Sequence, residues 1–205
     1  DILASTLEGY PGTIFCYGQT GAGKTFTMSG SSLDYKYRGI MPRVITSLFQ
    51  DIQSRYEQSI TVRCSYLEIY NEIMYDLLSA DLSSNIAINE DGKGMVVMKG
   101  LTQKICNNEE EALSCLFEGE TNRTIAQHRM NSHSSRSHAV FTIHLEMRSR
   151  VESTEKVIYT KINLVDLAGS ERTKKTGSEG QTLVEANYIN KSLSFLEQVY
   201  IKRCQ

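Results

Sequence analysis

The stretch that decides the fold is GQTGAGKT at residues 18–25, inside CYGQTGAGKTFTM at residues 16–28. It satisfies the pattern G-x-x-x-x-G-K-[ST], in which glycines let successive backbone N–H groups point inward at phosphate oxygens. Lys24 can reach the β- and γ-phosphates of a nucleotide, and the hydroxyl of Thr25 can bind Mg²⁺. The residues predicted to form this phosphate-binding loop are Gly18, Gln19, Thr20, Gly21, Ala22, Gly23, Lys24 and Thr25.

The composition of the 205-residue chain predicts one domain of ordinary polarity, with 40% hydrophobic and 22% charged residues. The formal net charge of -2 gives no overall field that would attract nucleic acid or an anionic membrane, so neither is predicted as a partner. No apolar run approaches the roughly 20 residues of a membrane span, and no signal peptide is evident at the start, which predicts a cytoplasmic location. Five cysteines without a CxxC pair predict reduced thiols. The four histidines have no cysteine or acidic partners at ligand spacing, so no zinc site is predicted.

Hydrophobic patterning predicts an α/β chain. Residues 59–72, 138–148 and 156–169 have strand character, and residues 13–18 suit a buried strand. Helical spacing is found near residues 1–10, 41–56, 108–126 and 183–200. A polar, glycine-bounded loop at residues 29–39 is predicted between the helix that follows the phosphate-binding loop and the helix at 41–56. The segments 138–148 and 156–169 are close enough to form an antiparallel hairpin, and INLV at 162–165 is apolar on both faces, as in a central strand. We therefore predict a three-layer fold with a central mixed sheet flanked by helices.

Two further segments carry groups suited to nucleotide chemistry. In DLAG at 166–169, Asp166 can hold Mg²⁺ through a water, and the N–H of Gly169 can contact a γ-phosphate. A strand-ending turn would explain DLAG alone, but its order after the glycine loop favours a sensor of the third phosphate. In NSHSSRSH at 131–138, two adjacent serines offer hydroxyls and Arg136 offers a planar fork for a carboxylate. By composition alone, a polar loop is the favoured interpretation of this segment.

With these three segments in this order, the chain resembles a kinesin motor domain of P-loop NTPase fold. GQTGAGKT is similar to the family's P-loop, NSHSSRSH to its first switch and DLAGSE to its second, and the matches RGIMPR, SYLEIYNE and EANYINKSLSFLEQ extend the resemblance over nearly the whole chain. Myosin shares the P-loop and a related SSR segment, but RSH and the SE of DLAGSE are the kinesin forms. A GTPase fits less well, because NKSL at 190–193 lacks the aspartate of the guanine-binding N-K-x-D motif.

The resemblance implies ATP hydrolysis with Mg²⁺. Thr25 and Ser135 would bind the metal directly, and Asp166 would bind it through a water. Phe26 lies where the family places a side chain against adenine, although a core phenylalanine at a helix start is the alternative from the residues alone. The remaining implied roles are phosphate neutralisation by Lys24, γ-phosphate contacts from Ser134 and Gly169, proton relay by Glu171, and an ion pair between Arg136 and Glu171.

The resemblance also implies microtubules as the partner. A basic patch after the second switch suits the acidic surface of tubulin, although a solvated loop is the alternative from the residues alone. The implied tubulin-facing residues are Arg172, Lys174, Lys175, Glu185, Asn190 and Lys191. Similarity of CSYLEIYNEIMYDLL and KSLSFLEQ to the kinesin-nine subfamily implies the microtubule cytoskeleton, and a cilium or flagellum, as the location. A dimer would form through segments outside these 205 residues.

The resemblance implies that residues 1–205 are a partial motor domain, because the family's domain is longer. Its first strand and arginine-proline segment, and its last strand, later helices and neck, have no counterpart in this sequence. We expect the isolated chain to fold poorly, because sheet edges would be unpaired, and to lack sustained microtubule-stimulated turnover. The alternative to a motor core is a nucleotide-binding or microtubule-binding fragment without motor activity. Direction, processivity and cargo are not indicated by the sequence.

Overall fold

The structure, a computed structural model, describes residues 2–31, 34–80, 86–90, 92, 96–130, 134–151, 156–170, 188–196 and 198. The helices are α1 (Ile2–Leu7), α2 (Lys24–Met28), α3 (Ile40–Ser54), α4 (Glu109–Met130) and α5, described over residues 188–196. The strands are β1 (Gly12–Cys16), β2 (Gln58–Tyr70), β3 (Ile73–Asp76), β4 (Ala87–Glu90), β5 (Val96–Lys99), β6 (Lys104–Cys106), β7 (His138–Ser149) and β8 (Val157–Asp166). Short 3₁₀ turns cover Tyr35–Tyr37 and Ser134–Arg136.

The sheet is mixed, as predicted. Its strand order is β1-β8-β7-β2-β3, and β6 also pairs with β2. The predicted hairpin is confirmed, because β7 and β8 are antiparallel, with Ala139 opposite Asp166. Strand β1 is parallel to β8, and Cys16 lies beside Asp166 at their carboxyl ends. The segments that follow β1 and β8 therefore leave the sheet at the same edge.

Most of the core lies on one face of this sheet. The predicted alternation in β7 is confirmed, since every second side chain is buried, namely those of Ala139, Phe141, Ile143, Leu145 and Met147. Buried residues of α1–α4, including Leu7, Met28, Ile45 and Leu116, belong to the same cluster. The Phe141 ring meets the ring of Tyr66 on β2 edge to face, with centroids 5.2 Å apart. These contacts fix the helices on the sheet and, with them, the loop that begins α2.

Two predictions of burial are wrong. Strand β1 alternates between half-buried and exposed positions, and Phe15 is 41% exposed. The reason is its place at the end of the strand order, where it pairs with β8 alone among the described strands. In β8, Leu164 is buried but Val165 is only half-buried, because α1–α4 pack on the face that carries Leu164.

Several small elements carry no signal in the sequence. These are the strands β3 and β6 and the separate β4–β5 hairpin. The turn between β2 and β3 has two non-glycine residues with positive φ, Asn71 at 50° and Glu72 at 62°. Glutamate is a poor turn signal, which is why this hairpin was not predicted. The predicted helix near 183–200 is confirmed over 188–196, whereas residues 183–187 lie outside the described part.

None of the described helices has both the length and the apolar composition needed to cross a membrane.

Candidate nucleotide site

The glycine loop follows β1 and has the backbone shape that its sequence predicts. Gly21 and Gly23 have φ of 80° and 85°, in the left-handed region that side chains rarely occupy. Lys24 begins α2, and its Nζ reaches back to donate hydrogen bonds to the carbonyls of Gly18 (2.8 Å) and Gln19 (2.9 Å). The ammonium group therefore lies over the loop, where phosphate oxygens of a bound nucleotide would need a positive charge. Helix α2 itself has only five residues, so the N–H groups of the loop must supply most of the hydrogen bonds to the phosphates.

All three predicted motifs meet at one place. The N–H of Ser170 donates to the carbonyl of Gly18 in the loop, at 3.1 Å. The N–H of Gly169 donates to the carbonyl of Ser135, at 2.7 Å. The hydroxyl of Thr25 donates to Oδ2 of Asp166, also at 2.7 Å. Segments far apart in the sequence are thus connected by direct hydrogen bonds at the edge where β1 and β8 end.

Asp166 is the centre of this junction and is 1% exposed. Its Oδ2 accepts hydrogen bonds from Thr25 and from a guanidinium nitrogen of Arg123, at 3.0 Å. Its Oδ1 is buried and has no hydrogen-bond partner among the described residues. A buried carboxylate oxygen normally accepts a hydrogen bond, so Oδ1 is a suitable acceptor for a metal-bound water. The hydroxyl and carboxylate oxygens gathered here are the ligand type that Mg²⁺ prefers.

Arg123 was not assigned a role from the sequence, although it is 2% exposed. It pairs with Asp166 and lies 3.5 Å from a carboxylate oxygen of Glu68, which is 1% exposed. Burial alone would lower the pKa of the guanidinium, but Tyr66, Asp166, Glu120 and Glu68 around it raise that pKa instead. Its spacing from Leu116 places it on the core-facing side of α4. A charged side chain at such a position must be paired with an opposite charge. The helical spacing of Arg123 from Leu116 is therefore the sequence signal that could have predicted a buried ion pair.

A second, partly buried set of hydrogen bonds connects α4 to the end of α2. The Tyr66 hydroxyl donates to Oε1 of Glu120, which also accepts from the hydroxyl of Ser29 at 2.8 Å. Burial raises the pKa of Tyr66 well above its ordinary value, and the neighbouring Glu120 raises it further. Glu120 therefore anchors Ser29, one residue after α2, while Asp166 anchors Thr25 near its beginning. Both ends of this short helix are held by acidic side chains, the buried Asp166 and the half-buried Glu120.

Phe26 is 56% exposed, so the alternative of a core phenylalanine is wrong. Its ring lies beside Tyr37 from the loop before α3, with centroids 6.4 Å apart and a tilt of 43°. Tyr37 is itself 50% exposed. Two accessible aromatic rings next to the phosphate-binding loop offer a surface on which a flat base can stack.

Other predicted site residues are placed in part. The backbone of Ser134, Ser135 and Arg136 forms a 3₁₀ turn, and the side chains of Ser135 and Arg136 are half-buried there. Glu171, the predicted proton relay and partner of Arg136, lies outside the described residues. Among the predicted tubulin-facing residues, Asn190 is half-buried and Lys191 is exposed on α5. The others, Arg172, Lys174, Lys175 and Glu185, lie outside the described residues.

The site is separate from a cavity of about 460 Å³ between α3, β2 and β6. That cavity is lined by residues such as Phe49, Val62 and Cys106, and by none of the residues predicted for the site.

A glycine loop of this shape, bonded through its threonine to an aspartate at the end of the neighbouring parallel strand, characterises the P-loop nucleotide-binding proteins. The chain has the fold of that class. Two solved structures agree with this assignment. One is a fast kinesin, with a TM-score of 0.82 and 40% identity over 92% of this chain and 53% of that one. The other is the motor and motor homology domain of Kar3Vik1, with a TM-score of 0.80, 37% identity, and coverage of 95% and 49%.

The family model of the kinesin motor domain matches residues 1–203, and the chain belongs to this family. It is 58% identical to human kinesin-like protein KIF9 over 98% of its own length. It is 54% identical to the kinesin-like protein KLP1 of Chlamydomonas reinhardtii over 97% of its length. The similarity is therefore of the kinesin-nine type, as the sequence predicted. The chain spans 26% of the length of each of these two relatives.

Proposed function

We propose that the chain is the nucleotide-handling part of an ATP-hydrolysing microtubule motor. The observation that carries this proposal is the junction of three motifs, in which Ser170 bonds to Gly18, Gly169 to Ser135, and Thr25 to Asp166. Such bonds let the segments that sense a γ-phosphate respond to the loop that holds it. Membership of the kinesin motor domain family supports ATP as the nucleotide and the microtubule as the partner.

The proposed roles are those that the resemblance to the kinesin motor domain implies. Lys24 neutralises phosphate charge. Thr25 and Ser135 bind Mg²⁺ directly, and Asp166 binds it through a water. When bound, Mg²⁺ neutralises the charge that develops on the phosphates. Ser134 and the N–H of Gly169 contact the γ-phosphate. The proposed relay is that Glu171 accepts a proton that originates from the attacking water, while its ion pair with Arg136 keeps the two switches closed.

On the microtubule side, α5 carries Asn190 and Lys191, and the segment 171–187 carries the other proposed contacts. The proposed switch is that γ-phosphate contacts at Gly169 and Ser134 change how this side of the motor binds the microtubule. Similarity to KIF9 and KLP1 favours a cilium or flagellum as the place where the full-length protein works. Dimerisation through segments outside residues 1–205 is part of the same proposal.

The test is a steady-state ATPase assay of the full-length protein, with and without microtubules. The wild type should be stimulated by microtubules. Lys24→Ala should lose nucleotide binding, because its ammonium group is bonded over the phosphate-binding loop. Glu171→Ala should bind ATP and hydrolyse it at least about a hundredfold more slowly.

A matched control is Lys156→Ala, which removes an exposed lysine just before β8, at the end of the strand opposite to Asp166. It should behave as the wild type. Absence of microtubule stimulation in the wild type, or normal turnover by Lys24→Ala, would contradict the proposed function.

A further inference from the structure

His138, the first residue of β7, has both ring nitrogens hydrogen-bonded to other parts of the chain. Its Nδ1 lies 3.1 Å from the backbone N–H of Ala168, just after β8. Its Nε2 lies 2.9 Å from the hydroxyl of Ser192 on α5. The ring therefore stands between the segment that follows Asp166 and the helix that carries the proposed tubulin contacts. No role was assigned to this histidine from the sequence.

The chemistry of the partners fixes the direction of these bonds. The N–H of Ala168 can only donate, so Nδ1 must be the unprotonated nitrogen and Nε2 carries the hydrogen. Nε2 then donates to the hydroxyl of Ser192, whose own hydrogen is donated to the carbonyl of Ile189 at 2.9 Å. Burial lowers the pKa of His138 to about 4, with Arg123 lowering it further and Asp166 opposing, so the ring is neutral near pH 7. Every member of this chain of three hydrogen bonds is satisfied.

The two ends of this series of hydrogen bonds lie in different functional segments of the proposed motor. Ala168 precedes Gly169, whose N–H bonds to Ser135 and is the proposed γ-phosphate contact. Ser192 follows Lys191, which is exposed, and precedes Leu193, which is 5% exposed. A shift of the backbone at Ala168 must either carry the rigid ring and α5 with it or break a hydrogen bond. A shift that keeps both bonds therefore moves α5 when the nucleotide site changes, whereas a shift that breaks one of them releases α5 from the site.

We propose that His138 is a positioning residue that couples the γ-phosphate sensor at Ala168 and Gly169 to α5 through Ser192. This inference rests on the proposed function and adds a specific path to it. Loss of one hydrogen bond in such a path should change the coupling by about three- to tenfold. A merely structural histidine would instead affect stability or nucleotide affinity, without altering how one site responds to the other.

Three substitutions test the two halves of the path in the full-length protein. Ser192→Ala removes the outer partner and leaves the ring. His138→Asn keeps an acceptor near the position of Nδ1 but is too short to reach Ser192, whereas His138→Gln places its amide nearer the position of Nε2. The control is Ser65→Ala, which removes a similar bond elsewhere in the sheet, between the Ser65 hydroxyl and Nε2 of His144 at 3.0 Å.

The measured quantity is the ratio of microtubule affinity with a non-hydrolysable ATP analogue to that with ADP, determined by co-sedimentation. ADP affinity without microtubules and the thermal unfolding temperature are measured in parallel. Ser192→Ala and His138→Asn should each reduce the ratio by about three- to tenfold and leave ADP affinity unchanged. The double variant should reduce the ratio no further than either single variant does, because both substitutions interrupt the same path. His138→Gln should also reduce the ratio, since it loses the bond to Ala168.

The proposal is overturned if Ser192→Ala leaves the ratio unchanged, or if the effects of the two single variants add in the double variant. It is also overturned if ADP affinity falls as much as the ratio, or if Ser65→Ala has the same effect. Should His138→Asn fail to fold, Ser192→Ala and its control still decide the question. If the microtubule affinity of the wild type is the same with both nucleotides, the proposed function itself is refuted. If the wild type responds to the nucleotide and the variants have the same ratio as the wild type, only the coupling through His138 is refuted.

Discussion

Phe26 combines a fixed backbone position with an accessible ring. It follows Thr25, which is tied to Asp166, so its backbone position is fixed by the site. Its ring is nevertheless 56% exposed and touches Tyr37 rather than the core. An exposed aromatic ring contributes little to folding, because little apolar area leaves the water. Contact with a ligand therefore explains the aromatic side chain at position 26 better than a contribution to folding stability does.

Phe26→Ala should weaken ADP binding by about three- to tenfold, because a stacking contact with the base is lost. Binding of pyrophosphate, which has no base, should be unchanged. Calorimetric titration of both ligands gives the comparison, and Tyr35→Ala, which removes a ring that is 75% exposed in the same loop as Tyr37, is the control. Equal losses for ADP and pyrophosphate would show that Phe26 shapes the loop rather than contacts the base.

The contacts that α4 makes with β2 and with the end of β8 include one buried guanidinium, that of Arg123. Arg123 on α4 pairs with Asp166 at the end of β8 and lies beside Glu68 on β2. Removing one partner of a buried ion pair leaves charge without compensation, which costs far more than the loss of an exposed pair. This arrangement should therefore dominate the stability of the layer formed by α4 and the sheet.

Arg123→Met should lower the free energy of unfolding by about 3 kcal/mol, because Glu68 and Asp166 are left buried without a counter-charge. Adding Glu68→Gln should restore part of this loss. Arg63→Met is the matched control, since Arg63 and Glu146 form an ion pair that is 32% and 14% exposed, and its removal should cost under about 1 kcal/mol. Urea unfolding measures all four proteins. Similar losses for Arg123→Met and Arg63→Met would contradict the importance of burial.

Local patterns and short motifs predicted much of the whole molecule. Alternation in β7 identified its buried face, and the order of the three motifs predicted that they would meet. Contacts between distant residues could not be predicted in this way. The pairing of Arg123 with Asp166, and of His138 with Ser192, depends on how helices lie on the sheet. The exposure of β1 depends on its position in the strand order, which periodicity does not encode.

Acid sensitivity follows from two half-buried histidines on the same strand. Burial lowers the pKa of His144 to about 4, and Lys161 and Arg63, which flank it on β8 and β2, lower it further. His138 has a pKa lowered to about 4 for the same primary reason. In the unfolded chain these rings would bind protons near pH 6.5. The unfolded state therefore takes up protons first as the pH falls, and stability decreases between about pH 6.5 and 4.

His144→Gln should reduce this pH dependence, because a group worth up to ~3 kcal/mol over that window no longer titrates. The measurement is the free energy of unfolding in urea at pH 7 and at pH 5, where the wild type should lose more stability than the variant. Ser65→Ala is the control, since it removes the hydrogen bond to His144 but keeps the ring that titrates. Its pH dependence should remain close to that of the wild type. If His144→Gln loses as much stability as the wild type between these pH values, the burial of His144 does not govern the acid response.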